Sequence, residues 1–273
     1  MDYPFADIDL ARRLERTEAQ GNIDFVEARQ HAFPDRGATW IELAGTYAMF
    51  DGVGSPLTQT FGLGAFEPIT TEQMETIEEF FRSRGGEVFH EVCPLADASV
   101  FEHIRERGYE PVEFSNVLFR PIDTGLRLDT SRNEEIKVRA IEKSEVDLWS
   151  QTASEGWSEF TEVAEFLREL NQVTAHSKGL SFIAELDQQP IATGALTIAG
   201  DVALLAGAST VPSARRQGAQ LALLEGRLRY AATRGCTVAM MVVQPGSGSQ
   251  RNAERHGFRI AYTRTKWHQK QIM

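Results

Sequence analysis

The stretch ASTVPSARRQGAQLALLEGRL, residues 208–228, changes its period halfway along. Through Val211 it is small and apolar, as a strand is, and Pro212 then blocks a ladder because it has no N–H to donate. Beyond the proline, Leu221, Leu224, Leu228 and Ala231 fall on one helical stripe with the arginines outside it, and Gly235 marks the exit. The run Arg215 to Gln220 joins strand to helix. The first N–H groups of a helix lack intrahelical partners and sit at the positive end of its dipole, so a diphosphate placed there gains several charge-favoured hydrogen bonds. Gly218 would let a phosphate approach the backbone with no Cβ in the way.

Upstream of this turn, IKVRAI (136–141) reads as a short strand and SEVDLWSQTASEGW as an acidic helix. TEVAEFLRELNQVTAHS (161–177) opens on a threonine cap and spaces Val163, Phe166, Leu167, Leu170 and Val173 as a second helix. LSFIAEL (180–186), IATGALTIAG (191–200) and VALLAGASTV (202–211) form an antiparallel meander with tight turns. Downstream come the apolar strand VAMMVV (238–243), a loop, the short helix QRNAERHG and a last strand region, FRIAYTRTKW (258–267).

The same tail occurs earlier, in residues 72–120. Met74, Ile77 and Phe81 mark a helix stripe, Arg84-Gly85 matches Arg234-Gly235, Val88 starts a strand as Val238 does, and Gly108-Tyr109 matches Gly257-Phe258. The chain therefore reads as two related halves, 1–125 and 135–273, joined by the polar segment PIDTGLRLDTSRNEE (121–135). Each half is expected to be an α/β (α+β) domain with a mixed, mostly antiparallel sheet flanked by helices.

Around its helix start the C-terminal half resembles the GNAT superfamily of N-acetyltransferases, whose signature R/Q-x-x-G-x-G/A binds the pyrophosphate of acetyl-CoA. Arg215 and Gly218 fit the first two fixed positions, and Gln220 departs from the third. The resemblance covers about 135–268 in element order and implies acyl-CoA-dependent transfer, most simply of acetyl, to a primary amine. It implies that Ser209, Thr210 and Val211 pair through their backbone with the pantetheine amides, and that Asn252 reaches the pantetheine arm. Arg216, Gln217, Gly218, Ala219 and Gln220 would line the pyrophosphate, with Arg215, Arg251 and Arg255 as outer phosphate contacts. The N-terminal half lacks such a run: GLGAFEPITTEQM (62–74) places Glu67 and Glu72 where phosphates need positive field, so this half is expected to be a degenerate copy without a cofactor loop.

Members of the superfamily usually position a glutamate on the strand before the signature helix and a tyrosine four residues before the glycine of the Gly-Phe pair. Here 202–211 has no carboxylate and the tyrosine position is Ala253. Tyr262 is a replacement acid, and Glu155 or Glu159 could bind or deprotonate an amine. The alternative is a CoA-binding sensor or interaction protein that has lost turnover.

The charge of -11 is unevenly placed: residues 1–133 carry -12, 134–210 carry -8 and 211–273 carry +9. The last segment suits the anionic CoA, and Glu155, Glu159, Glu162 and Glu165 suit a small-molecule or peptide amine acceptor that arrives as a cation. Nothing points to a nucleic acid. No apolar run reaches the roughly 18 residues of a membrane helix, so a cytoplasmic protein is expected, as monomer or homodimer. Cys93 and Cys236 lie in separate apolar strands and the six histidines show no ligand spacing, so no metal is implied.

Overall fold

The protein's fold is described by a computed structural model over residues 2–126, 128, 133–159 and 164–269. In chain order the elements are α1 (Ile8–Ala32), β1 (Thr39–Leu43), β2 (Thr46–Phe50), β3 (Gln59–Phe61), α2 (Thr71–Arg82), β4 (Phe89–Val92), α3 (Ala98–Glu106) and β5 (Tyr109–Pro121). Then follow β6 (Lys137–Ala140), α4 (Val146–Gly156), α5 (Ala164–His176), β7 (Leu180–Leu186), β8 (Gln189–Ala199), β9 (Val202–Thr210), α6 (Ala219–Thr233), β10 (Val238–Val243), α7 (Gly248–Arg255) and β11 (Arg259–Gln269). The chain forms two compact units. Unit 2 is Pro121–Ala239, and unit 1 combines the residues up to Arg120 with those from Met240 onward. These limits differ from a single cut near 121–135, because the last strand belongs to unit 1.

Unit 2 is an antiparallel meander, β6-β7-β8-β9, with helices packed on it. Its hairpins are two-residue turns. Asp187 and Gln188 both take positive φ (51° and 63°), which matches the twist of the flanking strands, and Gly200 (φ 58°) does the same service between β8 and β9. The α4 face is anchored by Trp149, whose indole N–H donates to Phe182 O at 2.9 Å, with Ala153 and Ile183 beside it. In α5 the buried residues are Asn171 and Val173, whereas Phe166 of the expected stripe is exposed, and Thr161, Glu162 and Val163 lie outside the described residues. α6 is not a one-stripe helix: Ala222, Leu223, Leu224, Glu225, Arg227, Leu228 and Ala231 are all buried. Gly226 permits this, since a Cβ there would stand 2.6 Å from Val138 Cγ1 of β6.

Unit 1 has the strand order β1-β2-β3-β4-β11-β5, antiparallel except for β3 with β4. α2 and α3 cover a core of Leu63, Met74, Ile77, Phe81, Val92 and Val100. The 25-residue α1, which the apolar spacing did not single out, starts at the Asp7 cap and buries Leu10, Leu14, Ile23 and Val26. The repeat seen in the sequence is visible as elements: helix, left-handed glycine, strand, helix, left-handed glycine, strand recur as α2–Gly85–β4–α3–Gly108–β5 and α6–Gly235–β10–α7–Gly257–β11.

Part of the positive C-terminal segment serves unit 1 rather than an incoming anion. Arg264 is buried against Glu15 (3.3 Å) and Glu18 (2.7 Å), and its Nε is 2.8 Å from Glu91 Oε2, an ion pair by distance whose angle falls short of a hydrogen bond. Burial raises the Glu15 and Glu91 carboxyls while Arg264 pulls them down. His90 bridges Thr60 and Tyr109, and burial lowers its imidazole to about 3. Both cysteines are buried and unpaired, and burial raises the Cys93 thiol to about 12.

Candidate active site

The turn from β9 into α6 carries the distinctive backbone of unit 2. Gly218, the N-cap of α6, has φ +94°, and Arg216 two residues earlier has φ +66°. A Cβ at 218 would meet only Asn133, at 3.6 Å, so the torsion rather than the space demands glycine. Among the described residues no side chain caps α6, and no acidic residue occupies its first turn. The bond from Ala222 N–H to Gly218 O opens the helix at 3.0 Å, so the N–H groups of Ala219, Gln220 and Leu221 precede the intrahelical ladder. Left-handed residues so close together curl the chain into the kind of turn whose successive N–H groups face one side and receive an anion. The Gln220 side chain does not join them: its amide donates to Thr210 Oγ1 at 2.7 Å, tying the helix start back to β9.

β9 is bulged ahead of this turn. Thr193 pairs with Ser209 and Ala195 with Ala206, so Gly194 of β8 faces both Gly207 and Ala208 of β9, and Gly207 takes the left-handed conformation (φ 57°). Ala206 and Gly207 are exposed there. The Ser209 hydroxyl lies 3.0 Å from Thr193 Oγ1 and donates to Ala153 O at 3.2 Å, so its side chain serves packing and its backbone is what remains to offer. Val211, also expected on pantetheine, has backbone bonds within the fold. Its N–H donates to Ile191 O at 2.9 Å and its carbonyl accepts from Ala214 N–H at 3.0 Å, so both groups are engaged at home.

The end of α4 reaches the same region of unit 2. A Cβ on Gly156 would stand 2.5 Å from Ser209 Oγ, so α4 closes directly on β9. Arg215 donates to Glu159 at 2.7 Å and to Gly156 O at 3.3 Å, linking the signature turn to the segment after α4. Glu159, read from sequence as a possible base, is thus engaged with an arginine. Glu155 is exposed in the last turn of α4 and lines a cavity of about 540 Å³ between α4 and α5. Asp147, Ser154, Trp157 and Arg168 also line it, so among the described residues the cavity offers two carboxylates, one aromatic face and one guanidinium.

Unit 2 thus brings together Ser209, Thr210, Arg215, Arg216, Gln217, Gly218, Ala219, Gln220 and Glu155. Two expected site residues belong to unit 1. Asn252 is exposed in the middle of α7. Tyr262 is buried in β11, and its hydroxyl donates to Glu15 at 2.8 Å. Burial, with the Glu15 charge adding to it, raises the phenol well above its ordinary range. Sequence reading missed Arg227. Its place beside the leucine stripe suggested a solvated arginine, yet it is 3% exposed.

Known proteins share the family and the fold. The sequence model of the acetyltransferase (GNAT) family matches residues 144–258. The aminoglycoside N(6')-acetyltransferase type 1 of Klebsiella aerogenes is 36% identical over 114 residues, covering 37% of this chain and 73% of the relative. Among solved structures, a GCN5-related N-acetyltransferase from Kribbella flavida superposes with a TM-score of 0.61 at 18% identity, over 95% of each chain. A tandem GNAT protein of the clavulanic acid pathway gives 0.57 at 12% identity, over 82% of this chain and 77% of its own. The structural likenesses speak for the fold, and the curated relative, matched over most of its length, speaks for the chemistry. The chain belongs to the GNAT acetyltransferase family and is an acyl-CoA-dependent N-acetyltransferase.

Proposed function

We propose that unit 2 binds acetyl-CoA with its diphosphate at the start of α6 and transfers the acetyl group to a small cationic amine received near the end of α4. The observation that carries the reading is the uncapped α6 terminus, opened by two left-handed residues and free of acidic side chains in its first turn. Gly218, Ala219 and Gln220 would give backbone N–H groups to the diphosphate, with Arg216 outside them, and Arg215 would exchange Glu159 for phosphate. Ser209 and Thr210 would pair with pantetheine through their backbone, while their side chains stay on Thr193, Ala153 and Gln220.

For the acceptor, Glu155 and Asp147 supply negative charge to the α4–α5 cavity, Trp157 supplies a face for an ammonium, and the negative end of the α4 dipole adds to Glu155. The relative from Klebsiella acts, by its name, on aminoglycosides, which are polyamines, and this supports a cationic acceptor. The amine must lose a proton before attack, to Glu155 directly or through a water. Its nitrogen then forms a bond to the thioester carbon, and the intermediate collapses with loss of the C–S bond and release of CoA thiolate, which takes up the second proton shed by the nitrogen. Residues 1–125 would take no CoA.

The test is kcat/KM for amines of graded charge, followed by thiol release at low and high salt. Cationic acceptors should lead, and their advantage should shrink as salt screens the carboxylates. A preference for neutral or anionic acceptors would remove this reading.

A further inference from the structure

Arg227 is a buried cation held, among the described residues, by carbonyls. Its Nη1 donates to Ala195 O at 3.0 Å and Ala206 O at 3.1 Å, and its Nε to Leu223 O at 3.3 Å. Among the described residues no carboxylate pairs with it. The slot it occupies is built for it, since a Cβ on Gly194 would come within 2.9 Å of the guanidinium carbon. Ala195 and Ala206 are the last register pair before the extra residue of β9, so the guanidinium sits where the strand bulges. Taking an unpaired charge out of water is costly, and an apolar side chain of similar length would fill the space more cheaply. A residue retained against that cost points to what its charge and its fork supply.

We propose that Arg227 is a positioning residue for acetyl transfer, holding the β9 bulge so that its backbone N–H groups meet the thioester carbonyl and lending an uncompensated positive charge to the oxyanion formed there. This deepens the acetyl-CoA reading above and rests on it. When the amine nitrogen bonds to the carbonyl carbon, the carbonyl electron pair moves onto oxygen. That charge is relieved only when the C–S bond breaks and thiolate leaves. A fixed cation behind the strand favours this state over the neutral thioester, so its effect belongs to kcat rather than to CoA binding. Burial lowers the guanidinium to about 10, which leaves it charged at neutral pH.

The test compares wild type with Arg227→Met, Arg227→Lys and Gly194→Ala, using acetyl-CoA and the best amine. Arg227→Met should lower kcat on the order of 100-fold and leave KM for acetyl-CoA within about threefold, the size seen when one oxyanion donor is removed. Arg227→Lys should recover part of the loss and lose it again as pH rises through the pKa of the buried ammonium, a profile that packing alone would not produce. Gly194→Ala, which crowds the guanidinium without deleting it, should lower kcat in the same sense and covers the case in which Arg227→Met does not fold. Unchanged kcat in Arg227→Met, or in Gly194→Ala where Arg227→Met is unfolded, overturns this inference alone. A parallel loss of kcat, CoA affinity and thermal stability also overturns it, since that marks a merely structural arginine. Wild-type protein without turnover on any amine overturns the acetyl-transfer reading, and this inference with it.

Discussion

Three helices of this chain begin in three chemically different ways. α2 satisfies itself: Thr70 accepts from Gln73 N–H, Gln73 returns the bond to Thr70 N–H, and Glu72 complements the dipole. α4 starts at a carboxylate, Glu145, which is held by Arg139 and accepts from Glu142 N–H. α6, which matches α2 in the repeat, has a left-handed glycine and no side chain. Two closely similar helix contexts therefore differ in whether their terminal N–H groups are answered from within. A capped terminus contributes to stability, and an uncapped one remains available to a ligand.

The strongest way to break this comparison is at Gly218. A valine there meets a torsion that β-branched residues reject, at a cost of about 1–2 kcal/mol, and places its side chain in the path of the phosphates. Calorimetry should give one CoA per chain for wild type and at least about a 100-fold weaker affinity for Gly218→Val, since several charge-assisted bonds are lost together. Circular dichroism should show the variant folded. Unchanged affinity, or two CoA per wild-type chain, would erase the distinction between the two helix starts.

A smaller effect is expected at the self-satisfied terminus. Thr70→Ala removes the cap of α2 and should cost about 1 kcal/mol in denaturant unfolding, with CoA affinity unchanged. A shift in CoA affinity would mean that the α2 terminus is also a ligand site.

The smallest effect is a titration at the start of α4. Hydrogen bonds from Arg139, with help from Glu142 N–H, hold the Glu145 carboxyl down at about 2, against an ordinary value of 4.5. A carboxyl lowered in the folded state contributes stability above its unfolded value and loses that contribution as pH falls through the folded one, here from about 4.5 towards 2. Carbon NMR should find Glu145 titrating in that range, and Arg139→Met should return it towards 4.5. A Glu145 titration near 4.5 in the wild type would show that the ion pair does not persist in solution.

Local rules made much of unit 2 legible. The meander follows from alternating apolar runs broken at Asp187-Gln188 and Gly200, and the α6 start follows from Pro212, Gly218 and the leucines. Burial of charge was not legible, because it depends on partners distant in sequence. Arg227 beside a leucine stripe reads as solvated until Gly194, thirty-three positions earlier, is seen to leave room for it. Tyr262 reads as a replacement acid, and nothing in the local sequence announces the Glu15 carboxylate on its hydroxyl. Glu159 reads as a base until Arg215 engages it. The start of α6 was thus readable from local sequence, whereas the partners of the charged residues around it are set by tertiary structure.

β11 sits between β4 and β5, pairing with β5 along Arg259–Gln269 and with β4 over Thr265–His268. On the ribosome this imposes an order. Residues 121–239 form a continuous stretch whose strands pair with near neighbours, so unit 2 can complete itself as soon as it emerges. The first 120 residues must wait with the β11-facing edges of β4 and β5 unjoined until β11 is translated, and closure of so long a loop is slow. The half of the chain that is made first is finished last.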